Sequence, residues 1–204
     1  MPPQTSSSSI KKTTKRRVST SSADSDETNN INAVQYFLLK SEPSEYSISD
    51  MERDTREEWG GIRNFQARNY LRSMKVGDRA FFYHSKSSTT GIVGTVKIVR
   101  TAQPDASALD PKSEYYDAKS SIENCRWDSV LIEHEQTFPL ALTLKELKEE
   151  AANNPDGSIS NMALFKQTRL SVVPLTFEQW EAVLKMVQNK NESNEGNKRR
   201  KNTE

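Results

Sequence analysis

Ala33-Val34-Gln35-Tyr36-Phe37-Leu38-Leu39 is an almost unbroken apolar run, the pattern of a strand covered on both faces rather than one with a wet side. It delivers Lys40-Ser41-Glu42-Pro43 at its end, so polar groups gather where the buried strand stops. Working outward, Ser47-Ile48-Ser49-Asp50 has the Ser-x-x-Asp form of a helix start and predicts a short helix through Met51 and Arg53. Phe65, Tyr70, Leu71 and Met74 mark one face of a second helix, closed by the turn Lys75-Val76-Gly77-Asp78.

Beyond that turn the character becomes β. Arg79 to Ser85, Gly91 to Val99 and Trp127 to Phe138 are candidate strands. Thr143 with Glu146 and Thr176 with Gln179 each open helical stretches, the second carrying Phe177, Trp180, Val183, Leu184 and Val187. Between them, Met162 to Phe165 suits a short helix before a strand at Leu170 to Val173. Short mixed strands with helices at the margins predict a mixed α/β (α+β) fold built on a small β-barrel or strongly curved sheet.

The chain has 204 residues with only 33% hydrophobic content, low for a protein that folds throughout. Residues 1 to 33 are rich in Ser, Thr and Asn and hold almost nothing to bury, and residues 189 to 204 share that character. Both are expected to be disordered tails flanking one domain at 34 to 188. Of the 29 Lys/Arg and 28 Asp/Glu, each tail holds five basic and three acidic residues, leaving 19 basic and 22 acidic in the middle. A domain of formal charge −3 does not hold nucleic acid by blanket phosphate neutralisation. Any such contact needs a local basic strip, the tails, or a pocket that reads one nucleotide.

The clusters Lys11, Lys12, Lys15, Arg16, Arg17 and Lys198, Arg199, Arg200, Lys201 have the form of basic runs that serve nuclear import. They lead to an expectation of nuclear location through an import receptor. No apolar stretch approaches the length of a membrane span, and a single cysteine, Cys125, precludes an internal disulfide. A monomer is expected.

Trp59-Gly60-Gly61-Ile62-Arg63-Asn64-Phe65-Gln66-Ala67-Arg68-Asn69 supplies an aromatic face together with donors and acceptors, which a planar heteroaromatic base requires. The same block also reads as a helix N-terminus with Asn64 as its cap. For catalysis the residues are poor. One cysteine cannot complete the ligand set of a zinc deaminase, and His134 shares an alternating face with Val130 and Ile132, where packing outweighs a role as base for Cys125. Gly91-x-x-Gly94 lies in a β run with no following helix and makes a poor phosphate loop. No metal or cofactor is expected, and a base-processing enzyme ranks below a binding module.

Taken in order, Tyr36 to Pro43, Arg63 to Asn69, Gly77-Asp78, Phe81 to Ser85, Gly91 to Gly94, Asp110-Pro111, Tyr115-Tyr116-Asp117, Arg126-Trp127 and Arg169 to Val172 resemble the EVE domain over about residues 34 to 188. The resemblance implies a PUA-like small barrel with peripheral helices, related to the YTH domain, and a non-catalytic module that recognises a modified nucleobase. Modified cytosine in DNA, including 5-hydroxymethylcytosine, is favoured; an RNA-binding reader of a methylated base and a nuclear interaction scaffold are the alternatives. By motif, the implied pocket residues are Lys40, Ser41 and Glu42, then Trp59, Arg63 and Asn64, then Tyr83, His84 and Ser85. Trp59 or Tyr83 would stack on the base, Ser41 and Asn64 would bond its edge, and His84 and Ser85 would hold a modified group or phosphate. Arg63, Arg68, Arg72 and Lys86 form the candidate phosphate strip. The chain departs from the family pattern at Gly61, where Asp is frequent, and at Thr90, where proline is.

Overall fold

The computed structural model describes residues 33–201, with side chains through residue 196. The N-terminal segment expected to be a tail, with its basic cluster Lys11, Lys12, Lys15, Arg16 and Arg17, lies outside the described residues. So do the side chains of Lys198, Arg199, Arg200 and Lys201.

Six strands form one mixed sheet. They are β1 (Tyr36–Ser41), β2 (Arg56–Trp59), β3 (Arg79–His84), β4 (Gly91–Pro104), β5 (Asp128–Thr143) and β6 (Val172–Leu175), in the order β2-β5-β4-β3-β1-β6. The apolar run that opened the sequence is buried because β1 is an interior strand, parallel to β3 and antiparallel to β6, with Phe37, Leu38 and Leu39 almost wholly inaccessible. β4 and β5 run longer than the expected strands, through Pro104 and Thr143, because they pair with each other as an antiparallel ribbon with several bulges. Side chains at Gly91 or Gly94 would collide with the β5 carbonyls of Leu142 and Gln136, so these glycines permit close strand approach and hold no phosphate loop.

The sheet is rolled. β2 and β3 are three places apart, about 14 Å in a flat sheet, yet Trp59 of β2 meets Phe82 of β3 edge to face at 5.4 Å. Curvature of that size follows from strand twist and the bulges in β4.

Helices close the margins. α1 (Ile48–Asp54) starts on a capping box in which Asp50 N–H donates to Ser47 Oγ (3.2 Å) and Ser47 N–H to Asp50 Oδ2 (2.9 Å). α2 (Phe65–Ser73) is capped by Asn64, whose Oδ1 accepts from Gln66 and Ala67 N–H at 2.9 and 3.0 Å. α3 (Leu144–Asn153) uses the predicted Thr143/Glu146 box, α4 (Ala163–Lys166) is one turn, and Trp180 of α5 (Phe177–Lys201) stacks on Phe81 at 4.0 Å.

Among the described residues α5 continues through the start of the polar C-terminal stretch, as far as Lys201. The anchor is Lys190, which polar composition concealed. Its Nζ donates to the Ala141 carbonyl and to Glu146 Oε2, each at 2.7 Å. Gln188 adds an i,i+4 bond to Glu192 (3.0 Å).

Candidate functional site

Parallel pairing makes β1 and β3 end on the same side, and Ser85 N–H ties the two exits together by donating to the Ser41 carbonyl at 2.8 Å. Beside this seam lies a cavity of about 920 Å3, walled by the end of β1, by β2 and the turn 60–64, by the segment after β4 with Asp105, Ser107 and Tyr115, and by residues 168–171 before β6. Its volume falls within the range of ligand sites.

Asp105 organises this region. Both of its oxygens are saturated: Oδ1 accepts from Ser107 N–H (2.9 Å) and Ser107 Oγ (2.6 Å), and Oδ2 from Gly61 N–H (2.9 Å) and Arg63 Nη1 (2.8 Å). Burial pushes the carboxyl upward in pKa, but the donors from Ser107, Arg63 and Gly61 outweigh it and hold it below the ordinary value. Arg63 also donates through Nε to the Tyr115 carbonyl (2.7 Å) and through Nη2 to Ser107 Oγ (3.0 Å). The guanidinium therefore locks the turn to the excursion between β4 and β5. That excursion is folded by Trp127 Nε1 donating to Asp117 (2.7 Å) and by Asp105 N–H donating to the Trp127 carbonyl (3.0 Å).

Each nominated side chain now has a place. Lys40, Ser41, Glu42 and Ser85 reach the wall, as do Trp59, Arg63, Asn64 and Lys86. Most are already engaged. Lys40 Nζ donates to the Thr168 carbonyl (3.0 Å), and burial lowers its pKa. Ser41 Oγ donates to the Tyr46 carbonyl (2.5 Å), and Ser85 Oγ to the Ser41 carbonyl (3.1 Å). Glu42 pairs with Lys86. Asn64 Oδ1 is consumed by capping, leaving its amide nitrogen for the cavity.

Two nominated residues lie elsewhere. Tyr83 is 3% exposed and belongs to the core, with burial pushing its hydroxyl up to about 12, so it cannot stack on a base. His84 Nε2 accepts the N–H of Ile48 (3.0 Å) at the start of α1. That requires an unprotonated Nε2, consistent with the pKa lowered by burial, so His84 is a structural acceptor. Trp59 is only 8% exposed and presents an edge of the floor, whereas Tyr115, 38% exposed beside the Arg63 guanidinium, supplies the accessible ring.

The candidate phosphate strip is also redrawn. Arg63 is spent internally, Lys86 pairs with Glu42, and Arg72 pairs with Asp128 at 2.6 Å. Arg68 donates to the Arg126 carbonyl and to Asn69, with no carboxylate partner among the described residues. It lies 4.8 Å over Phe65, an exposed ring stacked on Trp127, with Arg126, which pairs with Asp117 at 3.3 Å, on the same ring at 5.4 Å. An exposed aromatic flanked by two guanidiniums thus borders the cavity at Asn64. Of the groups considered for catalysis, the Cys125 thiol donates to the Trp127 carbonyl (3.1 Å) and His134 Nε2 bonds Thr137 Oγ1 (2.8 Å).

Asp105, Tyr115, Tyr46 and Glu57 escaped the reading of the residues as site groups. Asp105-Ala106-Ser107 does carry a local signal, an Asp two residues before Ser in the form of a side-chain-capped turn. Arg56-Glu57-Glu58-Trp59 carries the period of two that places Glu57 with Trp59.

The sequence model of the EVE domain matches residues 35–186. Thymocyte nuclear protein 1 of Gallus gallus is 40% identical over 168 residues, 76% of this chain and 69% of that protein. A structure of a hypothetical protein from Leishmania major superposes with a TM-score of 0.73 at 38% identity, covering 78% of this chain and 98% of that one. A crystal structure of human THYN1 protein in complex with 5-methylcytosine-containing DNA gives a TM-score of 0.73 at 36% identity, covering 75% and 97%.

Proposed function

This chain belongs to the EVE domain family, and on that premise we propose that it is a non-catalytic nuclear reader of a modified nucleobase, with modified cytosine in DNA as its ligand. The observation that carries the proposal is the cavity itself. It joins aromatic surface from Trp59 and Tyr115 to fixed polar groups from Asn64, the β1 exit and the turn 60–64. A base extruded from its strand finds a stacking face and an edge to bond there. The human relative in complex with 5-methylcytosine-containing DNA supports the choice of ligand.

The strand on either side of the base would pass over Phe65, with Arg68 meeting phosphate and with neighbouring bases stacking on the ring. Such a local contact suits a domain whose overall charge is slightly negative. Basic residues at 11–17 and 198–201 would direct nuclear import, and deleting both is expected to shift the protein to the cytoplasm. Unchanged nuclear accumulation removes that role.

The decisive experiment is a titration of the full chain, at fixed physiological salt, against matched single- and double-stranded DNA and RNA carrying cytosine, 5-methylcytosine, 5-hydroxymethylcytosine or methylated adenine. Tyr115→Ala serves as the control, because this ring is exposed and its removal leaves no core void. A preference for modified cytosine is expected to weaken about 5- to 150-fold in the variant, the range for loss of a base–aromatic stack of ~1–3 kcal/mol. Flat, steeply salt-dependent binding refutes a base-reading cavity, and a preference for the RNA arm reassigns the ligand.

A further inference from the structure

We infer that Glu57 reads the exocyclic amine of the bound base and so selects cytosine over thymine and uracil; this deepens, and rests on, the base-reader assignment above. Along β2, exposure alternates: Arg56 and Glu58 are exposed, Glu57 is half-buried and Trp59 is buried. Glu57 and Trp59 therefore share one face of the strand, and both line the cavity.

Of the other carboxylates lining the cavity, Glu45 is exposed to solvent and the rest are occupied. Glu58 pairs with Arg100 and accepts from Ser129 Oγ, Glu42 pairs with Lys86, Asp105 pairs with Arg63, and Arg56 of the same strand is taken by Glu133. Glu57 has no ion-pair or hydrogen-bond partner among the described residues, although it is withdrawn from solvent beside Tyr46. Its oxygens are not sealed from water, so in the free protein they are free to accept, and a ligand that displaces water from them must bring a donor in its place. Burial, then the charges of Asp54 and Glu58, raise the carboxyl's pKa, which accords with a group short of donors.

The chemistry discriminates sharply. An ionised carboxylate only accepts, so it bonds the N4 amine of cytosine and repels the O4 acceptor of thymine or uracil. 5-Methylcytosine and thymine share the 5-methyl group and differ at position 4 and in the N3 proton that follows from it. A pair of strands differing only in these two bases therefore isolates the contact from stacking and from methyl recognition.

The test uses the full chain and oligonucleotides with 5-methylcytosine, cytosine, thymine or uracil at one position, measured on wild type, Glu57→Gln and Glu57→Ala. Wild type should prefer 5-methylcytosine to thymine by about 10-fold or more, the scale of one well-formed base-edge contact. The isosteric E57Q places an amide donor where thymine offers O4, so thymine affinity should rise and the preference should fall to within about 3-fold. E57A should lose affinity for 5-methylcytosine and, with the repulsion at O4 removed, gain affinity for thymine. An E57Q chain with the wild-type thermal midpoint and the wild-type ratio overturns the inference, even if E57A fails to fold. Wild type that separates 5-methylcytosine from cytosine while both variants keep the ratio refutes Glu57 alone. Wild type that binds every strand alike refutes the reader assignment and this inference with it.

Discussion

Removing the Asp105 carboxylate should unfasten the cavity lip, and the cost can be worked from its bonds. Its two oxygens accept four donors, two on Oδ1 from Ser107 and two on Oδ2 from Gly61 and Arg63. The residue is 3% exposed, and the Arg63 side chain with which it pairs is 23% exposed. Breaking a buried pair from one side costs about 3–5 kcal/mol because the remaining charge is stranded; the partial exposure of Arg63 puts Asp105→Ala near the lower end, about 3 kcal/mol. Asp105→Asn is the sharper probe. Its amide nitrogen must face one of the two donor pairs, so it should cost about 2–3 kcal/mol despite preserving shape. In a chain of this size 3 kcal/mol corresponds to a fall in melting temperature of roughly 6–12 °C. Urea unfolding of wild type, D105A, D105N, R63A and the D105A/R63A double variant supplies the measurement, and the cycle should show coupling of about 1 kcal/mol or more. Additive single changes, or a loss below about 1 kcal/mol in D105A, refute the view that this carboxylate holds the lip.

Gly61 has φ +71, and a Cβ there would lie 3.1 Å from the Tyr115 ring, so Gly61→Ala should cost about 1–2 kcal/mol in thermal or urea melts and weaken ligand binding by displacing the ring; unaltered binding contradicts that placement. Lys190→Met should loosen the end of α5, read as faster amide hydrogen exchange over residues 188–200, with about 1 kcal/mol lost; unchanged exchange means the tether is not what orders the helix. Stability should fall with acid in two stages. His84 has a lowered pKa, so its contribution is complete above its ordinary 6.5 and declines as pH drops through the folded value, while Asp105, Asp117 and Glu146, all lowered, lose theirs only below the ordinary carboxylate range. Melts at pH 7.5, 5.5 and 3.5 should resolve both stages, and His84→Gln, which keeps an acceptor for Ile48, should abolish the first; a wild type equally stable at pH 7.5 and 5.5 excludes it.

Much of the scaffold was legible because its signals are local. β1 declared itself by continuous apolarity, α1 and α3 by capping boxes four residues long, and the 75–78 turn by Gly77-Asp78. β2 was missed as a strand because Arg-Glu-Glu-Trp at a sheet edge carries one buried side chain, too little pattern to rise above a charged turn. The continuation of α5 past 188 carries no local signal, because Lys190 is held by Glu146 and the Ala141 carbonyl, 44 and 49 positions earlier. The site was harder still. Tyr83 and His84 occupy the right strand but face the core and the start of α1, and no spacing rule states which way a strand end turns. Arg63 looked like a free cation because Asp105 and the Tyr115 carbonyl, its partners, lie 42 and 52 residues away. For Asn64 the sequence left a cap and a base contact both open, and the structure gives its oxygen to the cap.

The cavity draws its walls from five stretches spread between residues 40 and 171, so no contiguous peptide contains it and the unfolded chain cannot bind what the folded chain binds. Occupancy therefore feeds the whole folding equilibrium: ligand at 100 times its Kd adds about 2.7 kcal/mol, or roughly 5–11 °C of melting temperature in a domain this large. Free nucleosides, too small and too weak to follow by gel or filter, can thus be ranked by heating the unlabelled protein in their presence, with the chain acting as its own reporter.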